Sequence, residues 1–275
     1  MLNGATDNSA SVARFTVWQG WKRAVGASTT WLSLVFWVAV WFAVVVSLKI
    51  DQSLMPTPVK VVEQIAWLWS NQVGAGGLMV HILASLQRFI GGFVLAAFTG
   101  TMLGLWMGYS RRADMAINPV FELIRYIPPI AWAPFSILWF GASYGAQIFV
   151  IFISALPPIL MNAHKAARGI KPGLINAALM MGASPPTILL EVALPASLPF
   201  LFGGLRLGVA TGWMALIAAE LVASDGSRSG LGYLVLIGQQ TLRPETTIAA
   251  MIVIGIFGAA FDIGLQLLQR WIIRW

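Results

Sequence analysis

The chain contains no cysteine, and charge is scarce: only 10% of its 275 residues are Asp, Glu, Lys or Arg, against about 25% in an ordinary soluble domain. The first absence excludes disulfides, thiolate metal sites and cysteine nucleophiles. The second excludes a conventional water-facing surface, because 58% of the residues are hydrophobic and mean hydropathy is +0.80. Apolar surface on that scale needs lipid. Histidine is scarce too: His81 and His164 are far apart in sequence, and neither has metal-ligand spacing with another His, so both are read as solvent-facing or interfacial polar residues. No phosphate loop of the form G-x-x-x-x-G-K-[ST] occurs, and no nucleophile, metal or acid–base constellation stands out. The chain is expected to hydrolyse no ATP and to bind no cofactor. Its net charge of +7 comes from 17 Lys and Arg that form no basic patch, which argues against a nucleic-acid partner.

What the sequence does have is long charge-free runs, and a spanning helix needs about 20 apolar residues. Ala24–Leu48 is too long for a signal-peptide core and reads as a first span. Residues 1–23 form a polar arm in which Trp18 and Trp21 stand near Lys22 and Arg23, a pattern of interfacial anchoring. Tyr126–Ala163 is charge-free throughout and is read as parts of two helices joined at the Gly141-Ala-Ser-Tyr-Gly145 break. The spans are placed at about 24–48, 86–110, 119–140, 146–163, 196–222 and 246–268. With the N-terminus inside, Arg14, Lys22, Arg23, Arg111, Arg112, Lys165, Arg168, Lys171, Arg270 and Arg274 are cytoplasmic, against Lys49, Lys60, Arg228 and Arg243 outside. That bias predicts both termini in the cytoplasm.

One loop, residues 164–195, is long and structured on the predicted cytoplasmic side. Leu174, Ala178 and Met181 recur at helical spacing, and Gly182 offers a left-handed terminator. Ser184 then caps a second helix that tolerates Pro185 and Pro186 in its first turn, and Pro195 ends or kinks it before the fifth span. The small Ala177, Ala178 and Gly182 beside Leu179, Met180 and Met181 suit a surface that is docked rather than solvated. An amphipathic segment lying on the bilayer is the alternative.

The loop resembles the EAA motif of ATP-binding-cassette importer permeases, in which Glu-Ala-Ala is followed at fixed spacing by Gly, Ile and Leu-Pro. Here Asn176-Ala177-Ala178, Gly182, Val192 and Leu194-Pro195 keep that spacing, with Asn176 in place of Glu and Val192 in place of Ile. Other segments are similar to the branch that carries nitrate, sulfonate, taurine, bicarbonate and related small anions. Arg125-Tyr-Ile-Pro128-Pro129-Ile-Ala131-Trp-Ala-Pro134 and Trp139-Phe140-Gly141 look like its third span. His81, Ser85-Leu86, Arg88, Gly92-Phe93, Gly100, Gly104 and Gly108 follow its second, and Gly204-Leu205-Arg206, Glu220 and Gly230-Leu231-Gly232 its fifth span and outer loop. The resemblance covers about residues 56–268. It implies an all-α membrane protein of six spans in the type I importer arrangement, with cytoplasmic coupling helices. It also implies a homodimer, two cassette subunits that bind ATP and Mg, and an extracytoplasmic substrate-binding protein. Asn176, Ala177, Ala178, Gly182, Ala183, Ser184, Leu194 and Pro195 are then the ATPase-coupling residues.

The intramembrane polar groups need partners, since a charge at a helix centre costs about 2.5–3.5 kcal/mol. Arg206 lies roughly 12 Å and Asp262 roughly 9 Å from the cytoplasmic ends of their spans at 1.5 Å per residue, which predicts a structural ion pair. Arg125, Asn162, Trp213 and Glu220 are candidates for a translocation path, with a Glu122–Arg125 pair within one helix equally open. Gly100, Gly104 and Gly108 line one helix face for close packing. Pro157-Pro158 bends the fourth span. An ion-coupled secondary transporter is the alternative function, although no internal repeat of the kind such proteins show is evident.

Overall fold

The computed structural model describes residues 32–184, 187–222 and 229–273. The N-terminal arm, the start of the first span, Pro185, Pro186, Arg228 and Arg274 lie outside the described residues. The chain divides into two units, Met1–Val62 and Glu63–Trp275. In the first, helix α1 is described over Leu32–Ser47. Leu32, Val35, Phe36 and Trp37 are exposed on it and Val45 is buried, so most of its apolar surface is of the kind that faces lipid. Lys49 ends it in the left-handed region at φ 48°. The amides of Lys49 and Ile50 return to the carbonyls of Val46 and Val45.

Helix α2 covers Pro58–Ser70. The second unit continues with α3 (Leu78–Tyr109), α4 (Arg111–Ile124), a 3₁₀ turn at Pro129–Ala131 and α5 (Trp132–Phe140). After these come α6 (Tyr144–Arg168), α7 (Pro172–Met180), a π-helical turn (Ile188–Ala193), α8 (Leu194–Val222), α9 (Leu231–Gln240) and α10 (Pro244–Ile272). Among the described residues the one β feature is an isolated bridge between Val73 and Gly76, so the all-helical expectation holds. Helices α2 and α9 fall in stretches read above as loops. At 13 and 10 residues they are too short to span a bilayer, and a length criterion for spans passes over them.

Helix α6 is the centre of this unit, packed between α3 and α8. Glycines set both contacts. On α3, a Cβ at Gly92 would stand 2.7 Å from Ile151 Cβ, and one at Gly104 or Gly108 would collide with the Leu160 carbonyl or the Ala167 methyl. On α8, a Cβ at Gly204 would meet Asn162 Cβ at 2.7 Å, and one at Gly208 would meet Ile159 Cδ1 at 2.6 Å. With no apolar driving force between helices in lipid, such backbone approach is what dispersion needs. Phe89, Trp213 and Phe261 fill the space among α3, α8 and α10, with ring centroids 4.6–5.3 Å apart.

Four helical runs are long and apolar enough to cross a membrane: α3, α6, Glu191–Val222 and α10, or five if a bent pair counts as one span. Six is not reached by that measure among the described residues. The third expected span, 119–140, is not one helix: Arg111–Ile124 and Pro129–Phe140 meet at 83°. Pro128 and Pro129 supply no amide donors and press the residue before each towards an extended conformation, and Pro128 itself sits at φ −56°, ψ 137°. The Gly141 break does occur, at φ 67°. Ser143 Oγ then caps α6 by accepting from the Ala146 amide. Pro195 does not end a helix. The π turn runs directly into α8, and its wider i→i+5 spacing accommodates a residue that cannot donate to the carbonyl four positions back.

Candidate functional site

The 83° bend delivers Arg125, the C-cap of α4, and Tyr126 to a cleft of about 290 Å³ that also involves Pro157, Pro158, Met161, Asn162 and Leu207. Arg125 Nη2 lies 2.6 Å from Glu122 Oε2 and donates to the Tyr126 hydroxyl at 3.0 Å. The guanidinium also stands 4.8 Å from the centre of the Tyr126 ring. Pro157 and Pro158 withhold two amides from α6, which releases the carbonyls of Ile153 and Ser154 from the helical ladder. Thr211 Oγ1 on α8 stands within donating distance of the Ser154 carbonyl and of its own Leu207 carbonyl, 3.1 Å from each. Asn162 Nδ2 donates to the Pro158 carbonyl at 2.8 Å. The cleft thus combines a guanidinium, a carboxamide and a phenol on an otherwise apolar wall. This donor set suits a small polar or anionic solute.

The structure brings Arg125 and Asn162 to this cleft but not Trp213 or Glu220. Trp213 is buried in the aromatic cluster, and its Nε1–H donates to the Ile254 carbonyl at 3.1 Å. Glu220, 1% exposed, ties three elements together. Ser85 Oγ donates to its two oxygens at 2.7 and 3.0 Å, Arg88 Nη1 donates to Oε1 at 2.8 Å and the Gly232 amide donates to Oε2 at 2.8 Å. The amides of Gly230 and Leu231, which begin α9, donate to His81 Nδ1 at 3.0 Å and Ser85 Oγ at 2.9 Å. Acceptance at Nδ1 leaves the proton on Nε2 of a neutral imidazole, which donates to the Val73 carbonyl at 2.9 Å. His81 is therefore no solvent-facing residue, because its ring is fully buried between two backbone partners. His81, Ser85 and Arg88 recur at helical spacing on an apolar helix. That polar stripe was the signal from which the cluster could have been foreseen.

Arg206 and Asp262 form a two-pronged pair, Nε to Oδ1 at 2.7 Å and Nη2 to Oδ2 at 3.1 Å, and Gln266 adds a 2.7 Å bond to Oδ2. Both side chains are 40% exposed.

Helix α7 holds Asn176, Ala177 and Ala178 and closes on the exposed Gly182. Pro172 stands in its first turn, where no amide is needed. At its other end the amide of Ala183 reaches the Ala178 carbonyl at 3.0 Å and that of Gly182 the Leu179 carbonyl at 3.0 Å. Gly182 takes φ +80°, completing a Schellman motif. Ala178 is buried, whereas Asn176 and Ala177 are exposed and Met180 and Met181 are 90% and 81% exposed. Ser184 Oγ pairs with Thr187 Oγ1 at 2.8 Å. Leu194 and Pro195 open α8. Among the described residues no group of three or more His, Cys, Asp or Glu could hold a metal ion.

Residues 100–275 match the family described as binding-protein-dependent transport system inner membrane component. The bicarbonate transport system permease protein CmpB of Synechococcus elongatus is 38% identical over 198 residues, which cover 72% of this chain and 70% of that protein. The taurine transport system permease protein TauC of Escherichia coli is 32% identical over 239 residues, 86% of each. Among solved structures, a chain of the inward-facing MetNI methionine ABC transporter superposes with a TM-score of 0.61 at 19% identity, covering 71% of this chain and 95% of that one.

Proposed function

This chain belongs to the family of binding-protein-dependent transport system inner membrane components, and from that membership we infer that it is the permease subunit of an ATP-driven importer for a small anionic solute. Relatives named for bicarbonate and taurine support a solute of that size and charge, as do Arg125 and Asn162 on one cleft. Sulfonates, nitrate and organic acids fall in the same class. Two copies of the chain enclose the path, with both termini in the cytoplasm. Glu220 and Trp213 act in packing, and Arg206 with Asp262 in holding α8 to α10.

The observation that carries the energetic side of the reading is α7. A helix with a buried Ala178 and fully presented methionines, closed by the Schellman turn at Gly182, is a preformed knob for a partner. Residues 176–184 dock into a cassette subunit that binds ATP and Mg²⁺. Closure of two ATP-bound cassettes moves α7 and reorients the paired permeases, because the two orientations differ in their affinity for ATP. An external binding protein delivers the solute.

The test is reconstitution of the chain with its cassette subunit and binding protein in proteoliposomes. Uptake is expected to require ATP and loaded binding protein, and to respond to bicarbonate, taurine, alkyl sulfonates or nitrate in competition. Uptake driven by an ion gradient without ATP would instead support a secondary transporter. Unchanged cassette copurification in Gly182→Asp would remove the docking role from α7.

A further inference from the structure

Asp114, in the first turn of α4, reaches across to the end of α6. Its Oδ2 accepts from Arg168 Nη2 at 2.7 Å, and its Oδ1 lies 3.1 Å from His164 Nε2. An acidic residue at that position is often explained by the positive end of its own helix dipole, but that role needs no partner on another helix. Here the carboxylate is bonded to Arg168 on α6, with His164 one turn earlier beside its other oxygen. The Asp114 side chain is 15% exposed and that of Arg168 50%, so the contact lies at the edge of the solvent, where its worth is positional more than energetic.

What lies beyond each end of this contact gives it meaning. Arg168 is the last residue of α6, and α7 begins at Pro172, so the contact grips the root of the exposed helix. In the other direction α4 runs for 14 residues, with Pro119 inside it, about 21 Å at 1.5 Å per residue. Beyond its far end Arg125, paired to Glu122, lines the cleft. Phe121 on α4 packs with Met107 and Leu160, which gives the helix a pivot nearer the cleft than the ionic contact.

We propose that Asp114 is the positioning residue that passes displacement of α7 to α4, and through α4 to the Arg125 wall of the cleft. The inference rests on the assignment of α7 as the coupling helix. In this arrangement the ionic contact is the driven end of a lever, the apolar cluster its fulcrum and the Glu122–Arg125 pair its working end.

The test uses the complete transporter in proteoliposomes, with Asp114→Asn, Arg168→Gln, the double variant and Asp114→Glu. Each single substitution is expected to lower solute moved per ATP by roughly 5–10-fold while cassette copurification and thermal midpoint stay at wild-type values. The double variant is expected to be no worse than either single one, and Asp114→Glu to retain most coupling. The absence of native cysteine permits spin labels at the exposed Val120 and Leu174, introduced as Val120→Cys and Leu174→Cys. Their separation is expected to change on ATP binding, and the change to shrink in Asp114→Asn. Wild-type coupling in Asp114→Asn, additive losses in the double variant, or an unaltered distance change would overturn the proposal. Losses that track falling copurification or thermal midpoint would also overturn it by assigning Asp114 to stability alone. Failure of Gly182→Asp to affect cassette binding would locate the error in the assignment of α7 instead.

Discussion

The backbone amide of Gly232 donates to Oε2 of Glu220 at 2.8 Å, so a ten-residue helix is capped at its first turn by a carboxylate from a different helix. Gly230 at the N-cap position has no side chain to do this. A Cβ there or at Gly232 would come within 2.6–2.7 Å of Glu220 atoms, so the same small residues that leave the amides uncapped admit the foreign carboxylate. Glu220→Gln keeps the shape but leaves Arg88 buried without its counter-charge. Breaking a buried pair in this way costs about 3–5 kcal/mol. The thermal midpoint of the purified protein in nanodiscs is expected to fall clearly, and an unchanged midpoint would show that the pair does not hold α9.

The glycines of α3 are expected to differ in tolerance. At Gly91 an added methyl meets only the end of the Ile148 side chain at 3.3 Å, whereas at Gly104 it meets the Leu160 carbonyl. Gly91→Ala should be nearly silent. Gly104→Ala should destabilise by about 1–3 kcal/mol, the range for overpacking, read as a lower thermal midpoint. Equal effects would count against α3–α6 contact through Gly104.

The Arg206–Asp262 pair should be coupled in a double-mutant cycle of Arg206→Ala and Asp262→Ala. Because both side chains are 40% exposed, the coupling is expected near the low end of contacting pairs, about 0.5–1 kcal/mol. Additive stabilities would remove the pair as a link between α8 and α10.

Gly182 stands at φ +80°, and a methyl added there would have nothing within 4 Å, so its constraint is conformational rather than steric. Gly182→Ala should cost about 1–2 kcal/mol locally and weaken cassette binding. Gly182→Asn, whose residue type visits this region more readily, should be milder. Pull-down with the cassette subunit ranks the three. The reverse ranking would mean that side-chain bulk, not backbone conformation, decides.

Trp213→Phe should keep the contacts with Phe89 and Phe261 but lose the bond to the Ile254 carbonyl, at a cost of about 1 kcal/mol in stability. Solute preference in transport should not change. A shift in selectivity would return Trp213 to the path.

The long elements were legible because lipid imposes a simple demand on composition. The Gly182 stop was legible because only a left-handed residue closes that turn, and the depths of Arg206 and Asp262 followed from helical rise alone. The bend at Pro128-Pro129 was hidden because a charge-free run says nothing of its own continuity. Helices α2 and α9 were hidden because their lengths fall below any span criterion. The partners of Glu220 were hidden because a charge in a span signals need of a partner without naming it. Its partners Ser85 and Arg88 lie more than 130 residues earlier in the chain. The role of Asp114 was hidden for the same reason, since Arg168 is 54 residues away.

The distance between Arg88 and Glu220 also has a consequence in time. Arg88 precedes its counter-charge by 132 residues, and at about 5–20 residues per second of synthesis it emerges on the order of 10 s ahead of it. For that interval a newly made hairpin of the second and third hydrophobic segments carries a guanidinium, a hydroxyl and an imidazole that the finished protein buries. Over that interval the guanidinium bears the cost of an intramembrane charge without its partner, about 2.5–3.5 kcal/mol at a helix centre. The arrival of α8, which carries Glu220, is then the step that gives Arg88 its counter-charge.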